Sequence, residues 1–520
     1  MELPISIADI IDKRLNVDSM AKRERGEVFT PLSFVAEMFL GTSGSESGSE
    51  SGSGRTPWKG KGPRVGGLPL SVLRDPKGKW VDPAAGVGNF GVVAFHVLNE
   101  YLATAMPQAA KRQKHIIENM LYFIELDKTN GAQLKRVMSS LCPGAEPNVL
   151  IANTLSYKGK MDKLKSDLGC SEFTVVMGNP PFNSGGTKLE GTKRLHVDFT
   201  EFGLELLAPG GRLLFVCPPN YREADSAMNK VFRDGPAGHF EFIRIIGADR
   251  TLFLFHIQAR LDIFQWLSDS GKSDDRNGKS DSGKSDNDGK RSGSGSQGKT
   301  TILDEYNQVA EISIDLEKHL PNFGHTIFEK IQKKVKTLGT LDPFPFRTTE
   351  FSTLKAATFK CTGKKYKILH LITAAGKRVY INNKPHPLQA KKKIFLNGLG
   401  VPYVYYDKKG EYAPSQSPVI VLEPTDALAA FMKSAFFNFI VWGLRITGNN
   451  NLPYLFSMVP DIRSGSGSFT KPEDFVAFFG LTLAEKKFVF DSDEFKDPVG
   501  GEKDILENCG AARKTRKVKN

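Results

Sequence analysis

Four residues, Asn179-Pro180-Pro181-Phe182, follow an apolar run and carry the strongest chemical signal in the sequence. Two prolines fix the backbone and remove two N–H donors, so the Asn179 side-chain oxygen and the Pro180 carbonyl can both accept hydrogen bonds from one amino group. The ring of Phe182 can stack on a planar base. Two acceptors favour the pyramidal, nitrogen-centred lone pair that is needed for displacement at a methyl sulfonium, by electrostatic preorganisation without a metal.

A glycine turn earlier in the chain, D-P-A-A-G-V-G-N-F, begins at Asp82 directly after an apolar run. Its two glycines allow a tight turn and let a ligand approach the backbone at the end of a strand. Because a carboxylate at Asp82 would repel a pyrophosphate, the pattern predicts a nucleotide-like ligand that carries an ammonium group instead of phosphates. The candidate binding residues of this turn are Asp82, Pro83, Ala84, Gly86, Gly88, Asn89 and Phe90.

Two further apolar runs end in polar residues that suit the rest of such a ligand. The run Leu121–Asp127 ends in acid, where a carboxylate in nucleotide-binding folds accepts hydrogen bonds from ribose hydroxyls. Glu125 is the first candidate and Asp127 the second. The next run places Asn153 near a bound adenine ring.

These motifs end apolar runs, so a sheet must position them. Region 68–267 alternates short apolar runs with helix-compatible stretches, which predicts an α/β fold with a largely parallel, doubly wound sheet. Residues 301–316 predict one more strand-bearing segment that closes this domain. From about residue 320 an amphipathic helix, short aromatic and β-branched runs and further helical stretches predict a second, α+β domain.

Two Gly/Ser-rich stretches interrupt the first domain at about 41–67 and at 270–300. Their composition predicts flexible inserts that do not pack, and deletion of 271–298 is expected to leave activity largely intact. The predicted domains are therefore 1–269 with 301–318, then 319–495, followed by a basic tail at 496–520.

The second domain carries the candidate nucleic-acid contacts. Residues 442–455 combine arginine, amide side chains and glycine, and Arg445, Asn449, Asn450 and Asn451 are groups that read base edges. An irregular surface loop has the same composition and stays the alternative. Lys391–Lys393 and the basic tail contact phosphate or solvent.

Composition restricts the class of protein. The 520 residues suffice for two or three domains, and a net charge of +13 favours a polyanionic partner. Five widely spaced cysteines predict a reducing, intracellular compartment. No metal-ligand motif occurs in the sequence, so we expect no metal. No apolar run reaches the roughly 18 residues of a membrane span, so we expect a soluble protein and no membrane partner.

The order of these motifs resembles that of adenine-specific DNA methyltransferases of restriction–modification systems and large DNA viruses. An early G-E-V-F-T-P at 26–31 is followed by the glycine turn, the acid-ended run, N-P-P-F and a C-terminal domain. The resemblance implies a Rossmann-like methyltransferase domain that uses S-adenosylmethionine, and a target-recognition domain that binds duplex DNA. N-P-P-F in place of the S-P-P-Y of cytosine-amino relatives favours adenine.

The resemblance also implies residue roles. Phe29, Thr30 and Pro31 would border the S-adenosylmethionine pocket, and Asn179, Pro180 and Phe182 would receive an adenine flipped out of the duplex. In the remaining roles that it implies, Asp82 and Gly86 hold the methionine part of the cofactor and Glu125 holds its ribose. Many relatives have Asp where this chain has Asn153.

Alternatives stay open at this level. The same N-P-P-F site could act on an amino or amide group of RNA or protein, or the chain could be a catalytically inactive DNA-binding relative. We expect a monomer in the cytoplasm, or in the nucleus or viral factory if the source is a eukaryotic virus. Whether a separate cognate restriction endonuclease exists is left open.

Overall fold

The computed structural model divides the chain into two compact units, Met1–Leu320 and Pro321–Asn520, called here the N-terminal and C-terminal units. The boundary expected from the sequence lies between residues 318 and 319. The structure describes residues 30–43, 64–182, 194–255, 257–270, 298–342, 366–382, 385–398, 400–415, 418–447, 453–464, 467–496 and 500–506.

The N-terminal unit alternates strands and helices. Its strands are β1 Thr42–Ser43, β2 Arg64–Val65, β3 Trp80–Asp82, β4 Leu121–Glu125, β5 Asn148–Ile151, β6 Phe173–Gly178, β7 Leu207–Cys217, β8 Gly238–Ile246, β9 Leu261–Ser268, β10 Thr300–Leu303 and β11 Val309–Ile312. Its α-helices are α1 Leu32–Leu40, α2 Leu70–Leu73, α3 Asn89–Tyr101, α4 Ala109–His115, α5 Lys128–Leu141, α6 Met161–Leu168, α7 Leu195–Glu205, α8 Ala227–Asp234 and α9 Ala248–Phe255. A π-helical turn spans Ile116–Met120, and 3-10 turns span Thr154–Tyr157 and Pro219–Arg222.

Nine of these strands form one sheet in the order β11-β10-β8-β9-β7-β6-β3-β4-β5. The five strands from β7 to β5 are mutually parallel, whereas β9 runs antiparallel between β7 and β8. The chain winds outward from β3 through β4 to β5 and then returns to β6 on the other side of β3. The crevice between β3 and β6 is therefore the switch point where doubly wound sheets bind ligands.

Both faces of this sheet are buried. On β3, Trp80 belongs to an apolar cluster with α1, α3 and α5, whereas Val81 belongs to a second cluster with α6, α7 and α8. Leu121 and Tyr122 of β4 alternate in the same way. A parallel sheet covered on both faces explains the near-continuous apolar runs of these strands, and the predicted doubly wound α/β class is confirmed.

The predicted limits of the two inserts were too wide. At the first insert, β1 pairs antiparallel with β2, and Gly41 packs so closely that a Cβ there would lie 2.5 Å from the Gly66 carbonyl oxygen. These glycines serve close packing, although composition had suggested flexibility. At the second insert, Thr300 is buried in β10 and its hydroxyl donates to the Phe240 carbonyl at 2.7 Å.

The C-terminal unit is α+β, as predicted. Its strands are β12 Tyr366–Thr373, β13 Gly376–Asn382, β14 Lys393–Asn397, β15 Val404–Asp407, β16 Tyr412–Pro414, β17 Pro418–Leu422 and β18 Asp504–Leu506. Its α-helices are α10 His325–Leu338, α11 Asp426–Lys433, α12 Ala435–Leu444, α13 Pro472–Phe479 and α14 Leu483–Phe490, with 3-10 turns at Pro453–Met458, Ile462–Ser464 and Asp493–Phe495. The strands form two sheets, β16-β12-β13-β18 and β15-β14-β17.

In the described ranges no single helix is long and apolar enough to cross a membrane; α11 and α12 reach that length and composition only as a pair bent by 62°.

Candidate functional site

The fold brings the predicted motifs to one edge of the sheet. β3 pairs in parallel with β6 on one side and with β4 on the other. Their carboxyl ends therefore lie side by side, and these ends lead into the glycine turn, the N-P-P-F segment and Glu125. Residues far apart in sequence thus meet at the switch point of the sheet.

The glycine turn is held by its own carboxylate and by a hydroxyl from a neighbouring loop. Asp82 Oδ1 accepts a hydrogen bond from the Ala84 N–H at 3.0 Å, and the Thr154 hydroxyl donates to the Pro83 carbonyl at 2.6 Å. Gly86 has a φ of 54°, and a Cβ there would meet no atom within 4 Å. The turn therefore requires glycine and leaves open space above Gly86, as a ligand-binding turn should.

The other glycine and the ring of this turn contact the protein itself. A Cβ on Gly88 would lie 2.4 Å from Leu134 Cδ1, so this glycine allows α3 to approach α5. The Phe90 side chain is buried against Phe39, at 6.2 Å between ring centroids. This core position does not fit the predicted ligand contact of Phe90. The ring instead packs in the core and stabilises the glycine turn that it follows.

Asp82 is 1% exposed and lies against the N-P-P-F strand. A Cβ on Gly178 would lie 2.9 Å from Asp82 Oδ1, so only glycine leaves room for the carboxylate. Burial raises the pKa of Asp82 to about 8, against the hydrogen bond from Ala84 and together with the charge of Glu125. A carboxyl group in this state gains most from a cationic partner.

Glu125 connects the turn to β4. Its Oε2 accepts from the Gly86 N–H at 2.7 Å and its Oε1 from the Asp127 N–H at 2.9 Å. A carboxylate has about four acceptor positions, so Glu125 retains capacity for hydroxyl donors. The neighbouring Leu126 is an apolar side chain that is 69% exposed at this edge, and sequence reasoning had not singled it out.

Asp127 and Asn153 both cap helical turns. Asp127 Oδ1 accepts from the Thr129 and Asn130 N–H groups at the start of α5, at 2.8 and 3.0 Å. Asn153 Oδ1 accepts from the Leu155 N–H at 3.2 Å. Of the two acids considered for ribose, Glu125 therefore fits better, since Asp127 acts as a helix cap.

Thr30 connects the two central motifs. Its carbonyl accepts a hydrogen bond from Asn89 Nδ2 at 2.9 Å, and its hydroxyl accepts one from Asn179 Nδ2 at 3.1 Å. Pro31 follows, and its carbonyl accepts from the Phe34 and Val35 N–H groups at the start of α1. Phe29 lies outside the described residues.

The N-P-P-F segment leaves β6 and contacts α7. Pro180 is buried, Pro181 is exposed and Phe182 is half-buried against the cluster of α1, α3 and α5. His196 of α7 lies with Nδ1 2.9 Å from the Phe182 carbonyl oxygen. His196 was not predicted as a site residue, because nothing in the local sequence pattern shows that α7 returns to this segment.

Two of the predicted DNA contacts of the C-terminal unit are buried side chains. Arg445 is 1% exposed, its guanidinium lies 4.5 Å from the Trp442 ring centroid, and Nη2 donates to the Gly400 carbonyl. Arg445 therefore supports the fold of this unit, and the predicted base contact is wrong for it. Lys393 is also buried, paired with Asp407 at 3.1 Å, and does not reach phosphate. Asn449, Asn450 and Asn451 lie outside the described residues.

Within the part of the chain that the structure describes, no group of three or more His, Cys, Asp or Glu side chains could hold a metal ion.

Comparison with protein-family models and with curated proteins finds no match. Solved structures do match. The M protein of the type I restriction enzyme EcoKI (EC 2.1.1.72) is 19% identical, covers 38% of this chain and 41% of its own, and has a TM-score of 0.31. A Listeria monocytogenes protein provisionally assigned as a class I S-adenosylmethionine-dependent methyltransferase is 19% identical over 38% of this chain and 57% of its own, with a TM-score of 0.27.

A third neighbour spans more of the chain. The type IIL restriction–modification enzyme MmeI, solved in complex with DNA, is 10% identical over 82% of this chain and 71% of its own, with a TM-score of 0.40. These neighbours are restriction–modification enzymes and methyltransferases. This chain spans less than two thirds of the EcoKI and Listeria proteins. Identities and TM-scores this low do not establish a shared function.

Proposed function

We propose that this protein transfers a methyl group from S-adenosylmethionine to the exocyclic amino group of an adenine flipped out of duplex DNA. The observation that carries the proposal is the meeting of two motifs at the switch point. Thr30 bonds both Asn89 of the glycine turn and Asn179 of the N-P-P-F segment, and Asp82 fits against Gly178.

The residues around the glycine turn fit S-adenosylmethionine. Open space above Gly86 leaves room for the ligand, and the buried Asp82 suits the ammonium group of its methionine part. Glu125 retains acceptor capacity for the ribose hydroxyls, and exposed Leu126 offers an apolar surface to the adenine ring. When bound, this cofactor supplies an electrophilic methyl group on a sulfonium.

The N-P-P-F residues act on the substrate amino group. Asn179 Oδ1 and the Pro180 carbonyl accept hydrogen bonds from its two N–H groups, which concentrates the lone pair on nitrogen and favours attack on a methyl carbon. As the N–C bond forms, the S–C bond would break to leave a neutral thioether, and the methylated nitrogen would lose one proton to solvent. Thr30 holds the Nδ2 end of the Asn179 amide at 3.1 Å. Phe182 stacks on the extruded base, and such stacking contributes about 1–3 kcal/mol per base.

The C-terminal unit is proposed to recognise the target sequence. The net charge of +13 supports a polyanionic substrate, because cationic side chains release counterions from DNA on binding. Asn449, Asn450 and Asn451 remain predicted base contacts, whereas Arg445 is buried and is not one of them.

The test incubates the full chain with labelled S-adenosylmethionine and duplex DNA, RNA or protein, followed by digestion and mass spectrometry of the products. We expect N6-methyladenine in DNA alone. Label in RNA or protein would keep the cofactor site and overturn the substrate, and no label anywhere would favour a catalytically inactive DNA-binding relative.

A variant pair tests the catalytic assignment. Asn179→Ala should abolish transfer while S-adenosylmethionine and DNA still bind, because it removes the acceptor of the amino group and the bond to Thr30 but leaves Asp82 and Glu125 in place. Asn119→Ala, at an exposed position after α4, is the matched control and should retain the wild-type rate. Retained transfer by Asn179→Ala would contradict the assigned role.

A further inference from the structure

His196 contacts the aromatic residue of the N-P-P-F segment in two ways. It lies in the first turn of α7, 3% exposed, and its Nδ1 is 2.9 Å from the Phe182 carbonyl oxygen. The two rings meet edge to face, with centroids 6.4 Å apart and planes at 89°. The Thr200 hydroxyl donates to the His196 carbonyl at 2.7 Å within α7. His196 is therefore anchored in α7, and its side chain contacts a residue of the N-P-P-F segment.

The chemistry of this contact determines the form of the imidazole. A carbonyl oxygen only accepts, so Nδ1 must carry the hydrogen and donate it to Phe182. Burial lowers the pKa of His196, with the hydrogen bond to Phe182 opposing that shift. The neutral ring therefore donates through Nδ1 at neutral pH, and this donor does not depend on a charge.

The position of Phe182 explains why such a bond matters. The side chain of Phe182 is only partly buried, against the apolar cluster of α1, α3 and α5. The Phe182 carbonyl group is part of the backbone that carries the ring. A donor from α7 therefore restrains the backbone that carries the ring, whereas Asn179 is restrained from the other side through Thr30.

We propose that His196 is a positioning residue that holds Phe182 in place to stack on the extruded base. The inference rests on the proposed function and adds a residue from a different element to it. His196 itself touches neither the cofactor nor the reacting atoms in this assignment. Its loss should therefore reduce base extrusion and kcat, and leave the affinity for S-adenosylmethionine unchanged.

The experiment compares three substitutions in the full chain. In His196→Asn the amide Nδ2 replaces Nδ1 as donor; in His196→Gln the donor is displaced by one methylene; in His196→Leu it is absent. Relative to wild type, we expect kcat to fall about tenfold or more for Leu and Gln, and to stay within about threefold for Asn. Equal rates for all three variants, or equal losses in Asn and Gln, would overturn the inference even if Leu fails to fold.

Fluorescence of 2-aminopurine supplies a readout that a purely structural role would not move. The analogue replaces the target adenine in the sequence context found by methylation mapping, and S-adenosylhomocysteine occupies the cofactor site. The wild type should raise the fluorescence on extrusion of the base, His196→Asn should retain the rise, and His196→Gln should reduce it. An unchanged signal in His196→Gln would contradict the role.

A double-mutant cycle shows whether His196 acts through Phe182. If it does, His196→Gln should cost at most about twofold in a Phe182→Ala background, because the ring that it positions is gone. Full additivity of the two losses would overturn the inference. A wild type that transfers no methyl group to DNA would instead overturn the proposed function, so the two failures are distinguishable.

Discussion

At the scale of residues, the position of the Asp82 side chain requires glycine at position 178. The carboxylate of Asp82 occupies the space where a side chain at position 178 would lie, and Asn179 follows immediately. Gly178→Ala should therefore displace Asp82, Asn179 or both, and we expect kcat to fall at least tenfold, since displacements of about 1 Å can cost 10²-fold. Steady-state kinetics with saturating DNA would check this.

The matched control for that prediction is Gly247→Ala. Gly247 directly follows β8 in the same sheet, and a Cβ there would meet only side-chain atoms of Glu305, the nearest at 3.3 Å. Its kinetics should match the wild type within about twofold, because a flexible side chain can give way. Similar losses in both variants would point to general disturbance of the sheet.

The pKa of Asp82 predicts a pH dependence of cofactor binding. Below a pH of about 8 the ligand-free carboxyl carries a proton, which must leave before the group can pair with an ammonium. The affinity for S-adenosylmethionine should therefore rise about tenfold per pH unit from 6 towards 8, and fall above 8 as an α-amino group of pKa about 7.7–8.0 loses its proton. Calorimetry across this range measures it.

Asp82→Asn is the companion variant. It should bind the cofactor weakly and lose the rise between pH 6 and 8. In the ligand-free protein a carboxyl whose pKa is raised from 3.8 to about 8 binds its proton more tightly when folded, so stability falls as the pH rises through that interval. An amide does not titrate, so the stability of Asp82→Asn does not fall over this pH interval. Asp82→Asn should therefore melt at a higher temperature than wild type at pH 8. A lower melting temperature would contradict the assigned burial cost.

The residues that could be predicted are those with a local pattern. Asp82, Glu125 and Asn179 follow apolar runs directly, and the carboxyl ends of parallel strands meet at one edge. His196 and the bond between Thr30 and Asn179 had no such pattern, because they depend on the return of distant segments. Arg445 failed for the converse reason: its sequence neighbours suggested a loop, and only tertiary packing shows that it is buried.

At the scale of elements, α1 is fixed to the sheet by a buried ion pair. Glu37 of α1 pairs with Arg244 of β8, and Arg244 Nη1 also donates to the Thr42 hydroxyl at 2.9 Å. Both side chains are nearly inaccessible, so removing one partner leaves an uncompensated charge. Glu37→Gln should lower the free energy of unfolding by about 3–5 kcal/mol. Urea unfolding measures this, and the transition that shifts with S-adenosylmethionine reports the N-terminal unit.

Two comparisons make this prediction specific. Glu201→Gln, which breaks the partly exposed pair with Lys158, should change stability by no more than about 1 kcal/mol. Replacement of both buried partners by methionine should recover much of the loss, because no unpaired charge is left. Since α1 starts next to Thr30, Glu37→Gln should also reduce kcat. Unchanged stability would show that water or another group compensates Arg244.

The class of the fold was predictable from its elements, but the sheet order was not. Apolar runs of four to six residues between helical stretches indicate parallel strands buried on both faces. Nothing in the run Leu261–Ser268 shows that it inserts antiparallel between β7 and β8, because that placement is decided by pairing with both neighbours. The ends of the inserts were missed since composition cannot distinguish glycine in a close contact from glycine in a linker.

At the scale of the whole molecule, the segment 271–297 connects two strands that lie close in the sheet. β8 lies between β9 and β10, so these two strands are about 10 Å apart. Ser268 pairs with Gly238 and Thr301 pairs with Phe242, so Ser268 and Thr301 are also offset by about 13 Å along the strand direction. The span is then about 16 Å. Because Asp269, Gly298 and Thr300 keep their own contacts, a linker of about six Gly and Ser residues should replace 271–297. It gives about nine steps of about 3.3 Å between Ser268 and Gly298, which suffice to bridge the span.

Deletion of 271–297, with this linker in its place, should therefore leave the sheet and the candidate site intact. The segment contributes six basic and five acidic residues, so the net charge of +13 falls by only one. The deletion should stop before Gly298, because a Cβ there would lie 2.3 Å from the His239 ring. We expect kcat and the KM for DNA within about threefold of wild type, with an unchanged salt dependence of DNA binding. A weaker salt dependence with an unchanged kcat would instead show that the lysines of the segment contact DNA phosphates, and a variant with those lysines changed to serine at full length would separate that outcome from an effect of loop length.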